Sequence, residues 1–139
     1  MADLSPAQRK VFTDTNFVAL AATGRDGTPR AVVLWVDADG DEIIVNGTRT
    51  RDWLRNLQRS PSVALTIFDR QDPYRRVTVL GNVTEITDEG ADDHYGRLMQ
   101  KYRGVEAYQE RLRREGRVAS EPRTIVRIRP ERITSRGID

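Results

Sequence analysis

Three arginines, Arg51, Arg55 and Arg59, stand four residues apart, and on a helix that spacing stacks their guanidinium groups along one face. A guanidinium binds carboxylate or phosphate oxygens in pairs, so such a face is a candidate anion site. A turn of small residues, Asn46-Gly47-Thr48, comes just before it, and its backbone and hydroxyl can approach a ligand closely. A phosphate would fit at that junction, within the segment VNGTRTRDWLRNL from Val45 to Leu57. Trp53, Leu54 and Leu57 fall on the opposite side of the helix, where they can enter a core. A basic helix face can equally be nothing more than a solvated surface, and the residues alone leave both readings open.

Other reactive side chains are scarce. The absence of cysteine removes disulfides, thiolate metal sites and thiol nucleophiles together. The one histidine, His94, lies between Asp93 and Tyr95 on an aspartate-rich segment, which reads as a solvated imidazole rather than a catalytic one. One histidine without cysteine leaves too few of the usual ligands for a transition-metal site. The acidic run Asp37 to Glu42 has its glycine too early for a twelve-residue calcium loop, and Asp-Gly between two strands is ordinary hairpin chemistry. No nucleophile elbow, metalloprotease motif, phosphate-binding loop or dinucleotide fingerprint is present. No side chain is therefore assigned as catalytic. If the protein is an enzyme, an organic cofactor carries the reactive atom, and the chain supplies binding, orientation and electrostatics.

The elements that must position these residues make one domain, residues 1–139. Charged residues make up 32% and hydrophobic residues 37%, a soluble composition with a thin core of the kind that is often completed by a second subunit. Lys10 and Lys101 are the only lysines against 21 arginines, yet the net charge is only +2, with acids interleaved almost everywhere. That argues against a dedicated nucleic-acid surface. Apolar runs stop at six residues and the N-terminus lacks a signal-peptide pattern, so a cytoplasmic protein without membrane contact is expected.

In chain order, Ser5-Pro6-Ala7-Gln8 has the pattern of a capping box, predicting a helix to about Asp14. Strands follow at FVALAA (17–22) and AVVLWV (31–36), joined through Asp26-Gly27. The second is apolar on both faces, so one face meets the core and the other a second subunit or a flat ligand. EIIVN (42–46) leads into the arginine-faced helix, which Ser60-Pro61 stops. VALTIF (63–68), a polar loop from Asp69 to Arg75, and a long strand from Arg76 to Ile86 come next, with Gly81 marking a bulge. Thr87 and Asp88 are expected to cap a helix ending at Gly104, and a charged helix over 105–115 follows it. RTIVRIR (123–129) and a short strand at 133–135 after Pro130 complete the chain. The tally of about six hairpin-linked strands predicts a mainly β chain, an antiparallel barrel with added helices.

The succession GRDGTPRAVVLWV, DGDEIIVNGTRTRDWLRNLQRSPSVALTIFD, DPYRRVTVLGNVTEI and RIRPERI resembles the split β-barrel flavin and deazaflavin oxidoreductases related to pyridoxamine 5′-phosphate oxidase. The likeness spans nearly the whole chain and is strongest to the branch that uses coenzyme F420. It implies a six-stranded antiparallel split β-barrel, the FMN-binding type, forming a homodimer with two cofactor clefts at the subunit interface. Carried over, Val33, Leu34 and Trp35 line the ring pocket; Asn46, Gly47, Thr48, Arg49 and Arg51 meet the phosphate region; Arg55 and Asn56 orient it from the helix. Tyr74 and Arg75 come from the partner subunit. Many relatives carry lysine at the position of Trp53, where it contacts the cofactor phosphate; its replacement here leaves Arg49 and Arg51 to carry the charge. The implied activity is hydride transfer from reduced F420 to a conjugated small-molecule acceptor. An FMN-binding oxidase-like protein and a non-catalytic flavin or deazaflavin carrier are the alternatives. The chain stops at SRGID without the tail of a true pyridoxamine-phosphate oxidase, which leaves the substrate open.

Overall fold

In the computed structural model, which describes residues 1–139, the capping box forms as its residues predict. Ser5 Oγ accepts from the Gln8 N–H at 3.1 Å and Gln8 Oε1 accepts from the Ser5 N–H at 2.8 Å, opening helix α1 (Pro6–Thr13). The chain then enters a hairpin, β1 (Val18–Thr23) and β2 (Pro29–Leu34), turned at Gly27 with φ of 86°, a backbone conformation glycine adopts without steric cost. β3 (Asp37–Asp39) and β4 (Glu42–Gly47) form a second hairpin around Gly40. Helix α2 (Asp52–Arg59) leads to β5 (Ser62–Asp69) and the long β6 (Asp72–Thr87). Two helices, α3 (Ala91–Arg103) and α4 (Val105–Glu115), precede the last strand, β7 (Thr124–Arg136).

All seven strands join one antiparallel sheet in the order β2-β1-β5-β6-β7-β4-β3. The two edge strands, β2 and β3, are consecutive in the chain and separated only by Trp35 and Val36. The link from Leu34 to Asp37 is three residue steps, at most about 11 Å, so the sheet must curl until its edges come close, which is the split barrel. Alternation does the rest: Val18, Leu20, Leu65, Ile67, Val77 and Val79 point inward with Ile43, Val45, Val126 and Ile128, and Phe12, Leu54 and Leu57 plug the ends. The expected two-sidedness of the 31–36 segment is present, with Val32 and Leu34 packed on the core while Ala31 and Val33 face away.

Strand count is seven rather than six, because β3 is three mostly polar residues with no apolar pattern to betray it. β7 runs unbroken through Pro130 instead of restarting after it. Pro130 lies opposite Gly81 where the β6–β7 register shifts, so its missing N–H falls at an irregularity rather than in the regular ladder. A Cβ on Gly81 would lie 2.6 Å from the Arg129 carbonyl oxygen, the physical reason for glycine at the expected bulge. The segment 69–75 is a tight turn and the start of β6 rather than a loop. Helix α3 is capped by Gly90, φ 72°, and not by Thr87 or Asp88. The Thr87 hydroxyl accepts from the Glu89 N–H, while the Asp88 carboxylate holds Thr124 at 2.7 Å and Arg49 at 3.0 Å. No helix is long and apolar enough to cross a membrane.

The two-residue link between the edges is fastened from α3. Lys101 Nζ donates to the carbonyls of Val36 at 2.7 Å and Phe12 at 2.9 Å, and the Tyr102 hydroxyl accepts from the Val36 N–H at 3.1 Å while donating to the Asn16 carbonyl. Burial pushes the Tyr102 phenol up to about 12 and lowers Lys101. Tyr102→Phe leaves the Val36 amide and Asn16 carbonyl without these partners, and is expected to cost about 1–3 kcal/mol of stability, measured by urea unfolding at neutral pH. A change below a few tenths of a kcal/mol would mean that water takes over both bonds and the link is not fastened there.

Candidate functional site

Beside edge strand β2 lies a cavity of about 1190 Å³ with three walls. The first is β2 from Ala31 to Leu34, continuing into Trp35. The second is the Asn46-Gly47-Thr48 turn and the arginine face of α2. The third is the helical arm, through Tyr95, Met99, Arg103, Ala107 and Arg111, with Arg123 at the entry to β7. Nine arginines line the whole cavity against two acids, Asp52 and Glu110. Arg30, Arg111 and Arg114 are paired with Asp26 and Glu115, and the other six form no ion pair, so the cavity carries a positive excess although the chain is nearly neutral.

Helix α2 presents its arginines because Leu54 and Leu57 are completely buried on its other side. Truncating a leucine packed in that way costs about 2–5 kcal/mol, enough to fix the helix in its roll. Arg51 caps the helix N-terminus and Arg55 follows one turn on. Neither forms an ion pair, while Arg59 donates to the Asn56 side-chain oxygen. Asp52, three residues before Arg55 and able to reach it on a helix, does not pair with it.

The structure brings nine of the twelve expected residues to this cavity: Val33, Leu34, Trp35, Asn46, Gly47, Thr48, Arg51, Arg55 and Asn56. Arg49 turns away to Asp88, Tyr74 is three-quarters exposed on the β5–β6 hairpin, and Arg75 pairs with Asp69 at 2.7 Å. None of these three lines the cavity of the single chain. Trp53 is accounted for by packing. Its indole occupies the space that a Cβ on Gly47 would need, so the glycine admits this ring rather than a ligand.

Trp35 lines the cavity with its ring already engaged. It is stacked nearly parallel to the Tyr102 ring at 5.2 Å and stacks on Tyr95 at 6.0 Å. Tyr95 and Tyr102 are seven residues apart on α3, about 10.5 Å along its axis, which leaves room for one aromatic ring between them.

His94 requires a correction: the imidazole is buried, 5% exposed, rather than solvated. Neighbouring aspartates suggested water, but on α3 they occupy the outer face while His94 faces β4. Its partner there is Asn46, whose side-chain bonds can be assigned completely. Asn46 Oδ1 accepts from Arg123 Nε at 2.8 Å; Nδ2 donates to the Ala91 carbonyl at 2.9 Å and meets His94 Nδ1 at 3.0 Å. With Oδ1 committed to Arg123, the amide presents only N–H to the imidazole, so His94 Nδ1 accepts and the ring is neutral with its proton on Nε2. Burial first, and then the cations Arg97, Arg127 and Lys101, pull its pKa down to about 4 against the favourable pull of Asp37. Asn46 is thus a positioning residue for Arg123, whose guanidinium carbon sits 3.9 Å from the Tyr95 ring centroid. Sequence reading missed Arg123, Tyr95 and Arg103 because they reach the site from elements 50 to 75 residues away from the turn; the alternation of RTIVRIR was the available signal for Arg123.

A family model described as pyridoxamine 5′-phosphate oxidase matches residues 4–137. No curated protein matches the sequence. Among solved structures, an F420 reductase is 26% identical, with a TM-score of 0.73 over 91% of this chain and 94% of its own. A conserved hypothetical protein from Mycobacterium tuberculosis is 24% identical, with a TM-score of 0.70 over 97% and 87%. A FAD-binding protein from Mesorhizobium loti is 20% identical, with a TM-score of 0.60 over 95% and 94%. These last two likenesses concern the fold.

The lowered His94 pKa has a sign that can be checked. The folded state resists a proton that the unfolded chain, near 6.5, accepts, so stability falls as pH drops from about 6.5 and levels off below about 4. Between pH 7 and pH 5 the expected loss is about 2 kcal/mol. Urea unfolding at the two pH values measures it, and His94→Gln should remove most of the difference. An equal difference in the variant would place the titration on other groups.

Proposed function

The chain belongs to the pyridoxamine 5′-phosphate oxidase family, a split-barrel family of flavin-type cofactor binding, and from that premise we propose that it is a coenzyme F420-dependent reductase acting on a conjugated small-molecule acceptor. The observation that carries this reading is the junction of two surfaces in one cavity: an apolar strand edge, Ala31 to Leu34, and the arginines of α2 that no acid neutralises. The first suits a flat ring and the second a phosphate on its side chain. The likeness to an F420 reductase over nearly the full length of both chains supports the choice of cofactor.

In this reading Arg51 and Arg55 hold the phosphate, with the Thr48 hydroxyl and turn backbone beside them, and Val33 and Leu34 lie along the ring. Asn56 supports Arg59 from the buried side of α2. A reduced deazaflavin, when bound, supplies a hydride to the acceptor. The protein orients both molecules, excludes water with β2 and the helical arm, and offers guanidinium groups to negative charge that develops on the acceptor.

The functional unit is proposed as a homodimer. On the outer face of the sheet, Ala19, Ala21, Ala31, Val33, Ala64 and Leu80 form one apolar stretch, with Val33 66% exposed and Leu80 46%. A second copy covering this face removes that surface from water and brings its own Tyr74 and Arg75 to close the cleft. Sedimentation at micromolar concentration tests the arrangement, and a monomer would contradict it.

Separate titrations of the purified protein with F420 and FMN, followed by cofactor fluorescence, test the cofactor. Preference for F420 is expected. Preference for FMN would move the protein to the flavin branch, and binding of neither would end the redox reading. Arg51→Ala should weaken F420 binding by roughly 1.5–3 kcal/mol, the range for hydrogen bonds to a charged group. Reduction of a panel of quinones, tetrapyrroles and unsaturated lactones separates a reductase from a carrier, which would bind cofactor without consuming it.

A further inference from the structure

The reading of α2 as the holder of the cofactor phosphate leaves the α3 side of the cavity unassigned, and it too is cationic. Arg123 is only partly exposed and lines the cavity. Its Nε is fixed by Asn46 at 2.8 Å, its backbone N–H is held by Asp92 at 3.0 Å, and its guanidinium lies against Tyr95. No carboxylate pairs with that guanidinium, and its two terminal nitrogens have no acceptor in the protein. Burial accordingly lowers its pKa. Arg103, at the end of α3, is also without an acid partner and lies 5.6 Å from the Trp35 ring centroid. Tyr95 and Trp35 stack on each other between these two cations, with Met99 and Ala107 alongside on the cavity wall.

We infer that Arg123 and Arg103 form a second anion site, on the α3 side of the cavity, that binds carboxylate groups of the organic acceptor, so that the acceptor class is a planar conjugated carboxylic acid. Asp92 and Glu121 lie near enough to favour the charge of Arg123 without pairing with it. A half-buried guanidinium lacking a paired carboxylate is costly, and a ligand carboxylate meeting its two free nitrogens offsets that cost in the geometry a guanidinium favours. The two cations sit on different rings of the aromatic stack. That placement suits separate singly charged groups along an extended molecule better than one compact dianion, for which the α2 arginines, one helical turn apart, are better arranged. Asn46 sets Arg123 without touching the ligand, since all its side-chain hydrogen-bonding groups face protein atoms. Trp35 and Tyr95, with Met99 and Ala107 beside them, line the side of the cavity that receives the conjugated body of the acceptor.

Calorimetric titration with naphthalene-2,6-dicarboxylate and with the neutral 2,6-dicarboxamide tests this, on the protein alone and on protein saturated with F420. The dicarboxylate is expected to bind at least tenfold more tightly than the dicarboxamide in both cases. Arg123→Gln and Arg103→Gln should each reduce that preference severalfold, Arg123→Lys should retain part of it, and Arg55→Gln should leave it intact while weakening F420. Arg103 is exposed at a helix end, so its variant folds irrespective of what Arg123→Gln does to the Asn46 contact. Equal affinity for the two probes would overturn the inference, as would a preference that neither variant changes. Displacement of the dicarboxylate by F420 would overturn it as well, by assigning these arginines to acidic groups of the cofactor. Failure of F420 to bind would count against the reductase reading alone, because the titration of the protein without cofactor still reads the arginine site.

Discussion

Everything in this fold depends on the closure of the sheet at Trp35 and Val36. A seven-stranded sheet with β2 at one edge and β3 at the other would lie open if a long connection joined those edges. Two residues do not permit it. The link is held by a helix from elsewhere in the chain: α3 gives Val36 a donor to its carbonyl from Lys101 and an acceptor for its amide from Tyr102. The same turn of α3 holds Trp35 by stacking. The barrel is therefore closed by the element that also builds one wall of the cavity, and fold and site share their fastening.

That sharing explains how a nearly neutral chain sustains so cationic a cavity. Like charges brought together repel one another, and the repulsion must be borne by packing that does not yield. Leu54 and Leu57 supply it under α2; Asn46 and Tyr95 supply it around Arg123. Arg30 and Arg111 at the cavity's margin have acid partners in Asp26 and Glu115, but the arginines of α2, Arg103 and Arg123 have none, and other acids are placed outside. Asp88 draws Arg49 away from the turn, and Asp69 draws Arg75 to the far hairpin. The protein separates its charges in space rather than in sequence, and composition alone consequently gave no sign of the cavity's potential.

Much of the fold was legible because it is written in local patterns. The capping box, the Asp26-Gly27 hairpin and the two-faced second strand each depend on neighbours in sequence, and each formed; the Asp39-Gly40 turn formed too, but it joins β4 to the short β3 rather than to the 31–36 strand. The arginine-faced helix was legible for the same reason, as a four-residue spacing. What was not legible depends on contacts between distant elements. β3 exists only because β4 offers it an edge, Pro130 is tolerated only because Gly81 opposes it, and His94 looked wet because the aspartates beside it are wet. Its burial is decided by Asn46, 48 residues earlier. Arg123 and Arg103 reach the cavity through the same tertiary route, and no short motif announces them.

The packing of Trp53 against Gly47 carries a consequence for how this site can change by descent. A side chain at position 47 collides with the indole, so a larger residue there first requires a smaller one at position 53. The order is one-way: position 53 can shrink while the glycine stays, but position 47 cannot grow while the tryptophan stays. Charge toward ligands beside this pair comes from the arginines of α2.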